Sequence, residues 1–251
     1  RDHSIELEGV TMAAQDGILR VEKVRKSFGG LTAVNGVSFS IERNKITALI
    51  GPNGSGKTTL FNLVTSVLPP DDGLVWLDGQ PITRLPAHRI AQHGMVRTFQ
   101  ITRVFGQMTL WENMLVVARQ KTDVEARARA EELLHLVNLW DLRDKFAADT
   151  SYGQQKLLEF VRVLMLNPRV ILLDEPFAGV NPTMAQTLVS LIRRLQAEGT
   201  TFLIIDHAMT IIMSLCERVL VLDYGELIAD GSPVQVQSDT GVLEAYFGSK
   251  R

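Results

Sequence analysis

The stretch that decides the fold is Lys45–Val64, which reads KITALIGPNGSGKTTLFNLV. Its first part, Lys45–Ile50, is a short apolar run that predicts a buried strand, and the apolar run after the glycines predicts a helix. Between them, Gly51–Thr58 fits the pattern G-x-x-x-x-G-K-[ST]. Glycines suit these positions because backbone N–H groups must turn inward to cradle phosphate oxygens. The strand before the motif and the helix after it disfavour the alternative, a glycine-rich turn that binds no ligand.

This loop is therefore predicted to bind the phosphates of a nucleotide. Lys57 is expected to reach the terminal phosphates, and the Thr58 hydroxyl is expected to bind Mg²⁺. The helix that begins there adds the positive end of its dipole to the anion site. The residues predicted to bind nucleotide in this stretch are Gly51, Pro52, Asn53, Gly54, Ser55, Gly56, Lys57, Thr58 and Thr59.

A second motif, Val170–Pro176, reads VILLDEP: an apolar run that ends in two carboxylates. A strand that is buried on both faces and ends in Asp-Glu places acids at the carboxyl edge of a sheet, where ligands of α/β folds bind. Asp174 suits the water shell of Mg²⁺, and Glu175 suits the polarisation of an attacking water. The alternative is a pair of solvated acids at a strand end, which a neighbouring phosphate loop makes less favourable.

Outward from these motifs, the hydrophobic periodicity changes twice along the chain. Residues 18–28 and 37–42 alternate, which predicts antiparallel strands. Helical patterns dominate between about residues 88 and 166, and strand–helix alternation then resumes, as in a mainly parallel sheet. One predicted helix in the middle block shares an apolar face made of Ala130, Leu133, Leu134 and Val137.

We therefore predict an α/β fold with a P-loop NTPase core, an N-terminal antiparallel β subdomain and an inserted α-helical subdomain. The core is expected to comprise residues 17–87 and 167–251, and the helical subdomain about 88–166. Residues 1–16 mix charges, Gly and Ala without a clear period and are expected to be a poorly ordered extension.

Composition excludes several functional classes. Of 251 residues, 45% are hydrophobic and 22% are charged, which is ordinary for a globular chain. The formal net charge of −2 argues against a protein that coats a polyanion, so no nucleic-acid partner is expected. The single cysteine, Cys216, excludes an intramolecular disulfide framework and is expected to be an inert core residue. No run of 18 apolar residues occurs, so we expect a cytoplasmic protein.

From about Ile18 onward, the chain resembles the ATP-binding-cassette ATPases, motif by motif. Phe28, in KSFGGLTAV, falls where that family stacks an aromatic ring on adenine. Gln100, in RTFQ, matches the glutamine that joins the core to the helical subdomain and contacts Mg²⁺ and the attacking water. His207, in IIDHAM, matches the switch histidine that contacts the γ-phosphate, and TSYGQQ at Thr150–Gln155 resembles the family signature. Outside this context, Phe28 would be interpreted as core, and Gln100 and His207 as ordinary polar residues.

The resemblance implies a set of roles and partners. Residues 17–251 would form one ATP-binding-cassette domain with ATP and Mg²⁺ as cofactors, and Thr58, Gln100 and Asp174 would be near the metal. Each ATP would lie between two copies of the ATPase, as a homodimer or a paralogous heterodimer. The residues expected to face the partner's ATP are Ser151, Tyr152, Gly153 and Gln154. Two separate membrane permease subunits and, indirectly, a solute-binding protein would complete a transporter, which places this chain on the inner face of the cell membrane.

At two positions the chain departs from the family pattern, and these departures indicate which subfamily it resembles. Tyr152 replaces the first glycine of the signature pair, and Asn181, in AGVNP, replaces an aspartate that is frequent in the family. With RTFQ and the closing VLEAYFG, these features resemble the ATPase subunits of importers for branched-chain amino acids or related small polar solutes. The gap between ENMLVVA and the next helix is shorter than in those importers, however, and DEPFAGV also resembles the lipopolysaccharide-transport ATPase.

Three alternatives stay open at this point. The chain could energise the export of lipid or lipopolysaccharide. It could be a soluble cassette ATPase, although such proteins usually carry two cassettes, a long coiled-coil insertion or metal ligands. It could also be a regulatory module without turnover, which would be expected to lack Glu175 or His207.

The segment after Gln100 carries a cluster of apolar residues that suggests a docking site. The residues concerned are Val104, Phe105, Met108, Leu110 and Trp111. Leu110 and Trp111 are equally compatible with the interior of the helical subdomain. Phe105 and Met108 flank Gly106 in a predicted loop, where they would form an exposed apolar patch for a short permease helix.

Overall fold

A six-stranded sheet forms the centre of the computed structural model, which describes residues 17–98, 103–118 and 122–247. The predicted extension of residues 1–16 lies outside the described residues. In chain order, the strands are β1 (Gly17–Phe28), β2 (Leu31–Glu42), β3 (Ile46–Ile50), β4 (Asp72–Leu77), β5 (Gln80–Pro81), β6 (Met95–Arg97), β7 (Val170–Asp174), β8 (Thr201–Ile205), β9 (Arg218–Asp223) and β10 (Glu226–Gly231). The helices are α1 (Lys57–Val64), α2 (Ala87–Gln92), α3 (Leu110–Leu115), α4 (Asp123–Leu136), α5 (Tyr152–Leu164), α6 (Pro182–Ala197), α7 (Met209–Leu215), α8 (Pro233–Ser238) and α9 (Thr240–Phe247).

The central sheet has the strand order β10-β9-β3-β8-β7-β6. All neighbours in it are parallel except β10, which pairs antiparallel with β9 at the edge. Strands β3, β7 and β8 are buried along their whole length, as expected of apolar strands covered on both faces. Because β8 separates β3 from β7, the carboxyl ends of these three strands lie side by side.

A second, antiparallel sheet with the order β2-β1-β4-β5 packs on one face of the central sheet. Its alternating residues form one hydrophobic core with side chains of α1 and the central strands, including Leu19, Val21, Phe61 and Leu222. The long strands β1 and β2 confirm the predicted antiparallel pairing, with partners such as Val21 and Phe39. This face of the central sheet supports the helix that follows the glycine-rich loop.

The helices α3, α4 and α5 pack together on a core that continues to the other face of the central sheet. The predicted apolar face of α4 is buried: Ala130, Leu133 and Leu134 lie within the helix and Val137 directly after it. Strand β6, Met95–Arg97, falls within the segment counted above as helical subdomain, yet it pairs in parallel with β7. The central sheet therefore extends as far as Arg97.

Within the described ranges, no helix combines the length and the apolar character that crossing a membrane requires. Cys216 is buried at the end of α7, and this burial raises the pKa of its thiol to about 12. A thiol in that state is not a nucleophile near neutral pH, in agreement with the predicted inert role.

Candidate nucleotide-binding and hydrolysis site

The glycine-rich loop between β3 and α1 is folded around the ammonium group of Lys57. This lysine is the first residue of α1, and its side chain is buried. Its Nζ donates hydrogen bonds to the carbonyl oxygens of Gly51 and Pro52, both at 2.8 Å, and lies 3.4 Å from Ser55 Oγ. The turn between β9 and β10 supports the loop from outside, because Gly225 N–H donates to the Ser55 carbonyl at 2.9 Å. A positive charge is thus held at the centre of the predicted phosphate site.

Two glycines of the loop lie against neighbouring backbone so closely that a side chain would not fit. A Cβ added to Gly51 would lie 2.0 Å from the carbonyl oxygen of Leu222, and one added to Gly56 would lie 2.3 Å from that of Ala33. Both residues also have positive φ angles, 153° and 104°. Glycine is required here because the loop is enclosed by β2 and β9 and adopts left-handed backbone.

The exposed part of the loop contains the remaining predicted nucleotide ligands. Asn53, Gly54 and Thr58 are exposed, while Pro52 and Thr59 are half-buried. Thr58 lies in the first turn of α1, whose N-terminal N–H groups have no partner within the helix. This end of α1 is therefore suited to an anion.

Asp174 ends β7 and forms a buried ion pair that the sequence did not predict. Its Oδ2 lies 2.6 Å from Nη2 of Arg97, the last residue of β6. The same guanidinium donates from Nη1 to Asn62 Oδ1 on α1 at 2.6 Å and lies 5.5 Å from the ring centre of Phe61. Arg97 therefore connects the predicted metal-site carboxylate to the helix that follows the phosphate loop.

Glu175, the residue after Asp174, has a strained backbone. Its side chain is in contact with His207, the predicted switch histidine. The φ of Glu175 is +50°, an angle that residues other than glycine rarely adopt. Glu175 N–H donates to the carbonyl of Ile205 at 2.8 Å, and Glu175 Oε1 lies 3.4 Å from His207 Nε2. Burial lowers the pKa of Lys57, and the charges of Glu175 and Asp174 oppose this shift. These four charged or titratable side chains thus form one cluster at the ends of β3, β7 and β8.

A third carboxylate, Asp206, connects the acid pair to the switch histidine. It is buried at the end of β8, where Oδ2 accepts from Phe177 N–H and Oδ1 accepts from Ala208 N–H, both at 2.8 Å. One carboxylate therefore holds the loop after Glu175 and the residue after His207 together. The sequence contained a signal for it, since Asp206 ends a buried strand in the same way as Asp174 does.

The signature segment begins helix α5 with an exposed cap. Ser151 is the N-cap: its Oγ accepts from Gln154 N–H at 3.3 Å, and Gln154 Oε1 accepts from Ser151 N–H at 2.9 Å. Ser151 and Tyr152 are exposed. Gly153 lies against Met184 of α6, because a Cβ added there would be 2.9 Å from Met184 Cε.

The two departures from the family pattern have structural reasons. The ring of Tyr152 lies against the loop after the acid pair: a Cβ added to Gly179 would be 3.2 Å from Tyr152 Cε1. Asn181 is the N-cap of α6, and its Oδ1 accepts from Met184 N–H at 2.8 Å. Tyr152 therefore packs on the loop of residues 175–181, and Asn181 ends this loop by capping α6.

The remaining predicted site residues lie at the edge of the site or outside the described ranges. Phe28 ends β1 and is half-exposed, with Lys26 Nζ 5.7 Å from its ring centre. Its exposed ring is free to stack on a flat ligand. Gln100 lies outside the described residues, which stop at Thr98 and resume at Arg103.

The chain is similar to a family model and to several known proteins. The family model described as "ABC transporter" matches residues 34–178. The high-affinity branched-chain amino acid transport ATP-binding protein BraF of Pseudomonas aeruginosa is 41% identical, covering 92% of this chain and 98% of its own. The lipopolysaccharide export system ATP-binding protein LptB of Haemophilus influenzae is 36% identical, covering 93% and 98%. The chain belongs to the ABC transporter family.

A solved structure shows the same fold as this cassette. The ADP conformation of MJ1267, an ATP-binding cassette of an ABC transporter, matches with a TM-score of 0.82 at 36% identity, covering 92% of this chain and 99% of that chain. The predicted P-loop α/β fold is thereby confirmed. Family membership also confirms the activity expected from the motifs: the cassette is an ATPase.

Proposed function

We propose that this cassette hydrolyses ATP with Mg²⁺ to drive an importer of branched-chain amino acids or related small polar solutes. The observation that carries the catalytic part is the Glu175–His207 contact of 3.4 Å beside Lys57 and Asp174. The solute class rests on the likeness to the branched-chain amino acid transport protein of Pseudomonas aeruginosa.

The residues present fit a magnesium site. The ion pair with Arg97 uses Oδ2 of Asp174, and Oδ1 takes part in none of the hydrogen bonds of the described residues. The exposed Thr58 hydroxyl supplies a second oxygen donor, and hard oxygen donors are what Mg²⁺ prefers. When bound, Mg²⁺ would neutralise charge on the terminal phosphates. Gln100 is proposed as a further contact from the family resemblance.

The proposed hydrolysis divides its tasks among three side chains. Lys57 releases the carbonyls of Gly51 and Pro52 and binds the terminal phosphate oxygens, while the N–H groups at the start of α1 hold the others. Glu175 accepts the proton of the attacking water, as a general base must. His207, half-exposed beside it, contacts the γ-phosphate and orients the carboxylate of Glu175.

Replacement of Glu175 by Gln tests this division. We expect ATP to bind and turnover to fall by about 10²–10⁴-fold, because an amide is a poor base for water. Bound ATP should persist, so ATP should shift Glu175→Gln from monomer to dimer on size exclusion. Phosphate release and sizing measure both effects, and Glu198→Gln, an exposed surface variant, serves as the control. Hydrolysis near the wild-type rate would remove Glu175 from the role of base.

We further propose that two chains share each ATP. The signature helix exposes Ser151 and the start of α5, whereas the contacts of its inner face go to α6 and to the loop of residues 175–181 of the same chain. The exposed helix N-terminus is suited to the γ-phosphate of a nucleotide bound to a second copy or a paralogue.

The segment of residues 103–108 supports a docking site for a permease subunit. Asn113 is fully buried and fixes this segment, since Asn113 Oδ1 accepts from Phe105 N–H at 2.9 Å and Asn113 Nδ2 donates to the carbonyls of Phe105 and Met108. Leu110 is buried and Trp111 packs on the core, in edge-to-face contact with Trp140 at 5.6 Å, so these two residues belong to the interior.

Phe105 itself is 50% exposed at the edge of a groove of about 820 Å³. The groove lies between α2, the end of α3 and the end of α5, and its lining includes His88, Val116, Val117, Leu166 and Arg169. A mixed apolar and basic groove of this kind suits a short amphipathic helix of a membrane subunit. Phe105, at the edge of this groove, follows Gln100 by only five residues in the sequence, so docking there would couple the permease to nucleotide occupancy.

Phe105→Asp tests the docking site. We expect the variant to fold and bind ATP, but the amount that co-purifies with the membrane subunits should fall by about tenfold or more. Removal of an aromatic residue at the centre of an interface usually has an effect of this size. Phe146→Asp is the matched control, because Phe146 is also 50% exposed and does not line the groove. Loss of folding in Phe105→Asp alone would assign Phe105 to the core. Unchanged co-purification and transport would remove the groove from the interface.

The second candidate is export of lipopolysaccharide or lipid, because the lipopolysaccharide export ATPase of Haemophilus influenzae is also 36% identical over most of both chains. Uptake of labelled leucine, isoleucine and valine distinguishes the two proposals in cells that carry Glu175→Gln. If the cassette drives an importer, uptake of the labelled amino acids should fall while the amount of outer-membrane lipid stays unchanged. Unchanged uptake with less outer-membrane lipid would favour export.

A further inference from the structure

A buried lysine of the signature helix binds the loop that follows the acid pair. Lys156 lies on α5, five residues after Ser151, and only 7% of it is exposed. Its Nζ donates to the backbone carbonyls of Glu175 at 3.0 Å, Pro176 at 3.3 Å and Ala178 at 2.8 Å. An ammonium group has three donors, and here each one has a backbone acceptor.

The loop held by Lys156 is the one that orients the carboxylate of Glu175. Glu175 has a left-handed backbone with φ of +50°, a conformation that persists only where its surroundings fix it. On one side, Asp206 binds Phe177 N–H at 2.8 Å. On the other side, Lys156 binds the carbonyls of the same loop. The backbone of Glu175 is therefore fixed between the switch-histidine segment and the signature helix.

We propose that Lys156 is a positioning residue that holds the general base of its own chain from the signature helix. The inference rests on the proposed two-chain site, in which Ser151 faces the partner's ATP while Glu175 acts on the chain's own ATP. Through its three hydrogen bonds, Lys156 fixes the loop that begins at Glu175. Its loss should therefore displace the base that acts on the chain's own ATP and leave the base of the partner chain in place.

A directed heterodimer separates this role from a merely structural one. The reference pairs a Ser151→Arg chain with a Lys57→Ala chain, purified through two different tags. It has one unspoiled site, formed by the phosphate loop and Glu175 of the first chain and the signature of the second. An inactive reference would refute the two-chain site itself, without any change at Lys156.

Lys156→Met is then placed on one chain at a time. On the chain with the working phosphate loop, we expect the single-turnover rate to fall by about tenfold or more, with ATP affinity within about twofold, because a displacement of the base near 1 Å has effects of this size. On the Lys57→Ala chain, whose Glu175 faces no ATP, we expect the reference rate. The proposal would be overturned if the single-turnover rate fell only with the substitution on the Lys57→Ala chain, fell equally with either placement, or fell with neither.

Two further variants keep the result interpretable. Lys156→Gln retains two donors and is expected to show an intermediate loss with the same dependence on placement, so it carries the test if Lys156→Met does not fold. Lys145→Met, at an exposed lysine seven residues before α5, is the matched control and should leave the rate unchanged on either chain. A thermal melt of each variant checks the fold. A Lys156→Gln rate equal to the reference on both chains would also count against the role.

Discussion

The phosphate loop and the signature segment both lead into helices, but the chain encloses the first and leaves the second exposed. The phosphate loop is enclosed by its own chain: two glycines lie against backbone carbonyls of β2 and β9, and Lys57 binds three oxygens of the loop. The signature segment is capped by its own Ser151 and Gln154, while Ser151 and Tyr152 remain exposed. The phosphate loop is thus supported on all these sides by its own chain. The signature segment leaves the N-terminus of α5 exposed, where we propose that it faces the ATP of a second chain.

Removal of the lysine inside the enclosed loop should have the largest effect. Lys57→Ala is expected to weaken ATP binding by about 10²–10³-fold, because charge-assisted hydrogen bonds contribute about 1.5–3 kcal/mol each. Equilibrium binding and a thermal melt measure affinity and fold together. Lys45→Ala, which removes a half-exposed lysine paired with Glu217 directly before β3, should bind ATP normally. A normal melt with unchanged affinity would mean that the phosphate site is elsewhere.

A bulky cation at the exposed segment should act on the partner's site and leave the chain's own nucleotide binding intact. Ser151→Arg is expected to lower turnover by about 10²-fold, as removal of one group that stabilises transition-state charge typically does. ATP affinity should stay near wild type. Mixing with Lys57→Ala should restore activity, since one unspoiled site forms in each heterodimer. Lost ATP affinity in Ser151→Arg would contradict the difference between the two segments.

The smallest effect is expected at the N-cap of α6, where the loop after the acid pair ends. Asn181→Ala removes the N-cap of α6 and should lower the free energy of unfolding by about 1 kcal/mol. Asn181→Asp keeps a capping oxygen and should be nearly as stable as the wild type. Urea denaturation of the three proteins measures the difference. An alanine variant as stable as the wild type would show that the cap does not contribute to the free energy of unfolding.

Much of the fold could be predicted from the sequence because its signals are local. The apolar runs of β3, β7 and β8 and the glycine-rich turn before α1 are contiguous, so periodicity and motif place them directly. The position of β6 was harder to predict. It is only three residues long, Met95–Arg97, and its place in the sheet depends on pairing with β7, more than seventy residues later. Its ladder partner decides its assignment, since three residues have no period to detect.

By itself, the sequence determined the residue types at the phosphate loop, at the acid pair and at His207, because that chemistry needs those groups at short spacings. Only the tertiary structure decided which of them meet and what holds them. The Arg97–Asp174 ion pair, the hydrogen bond of Asp206 with Phe177 and that of Lys156 with Glu175 each join separate segments of the chain. Such contacts leave no periodic trace in the sequence. They exist because parallel strands end at one edge, where buried charges and backbone carbonyls must find partners.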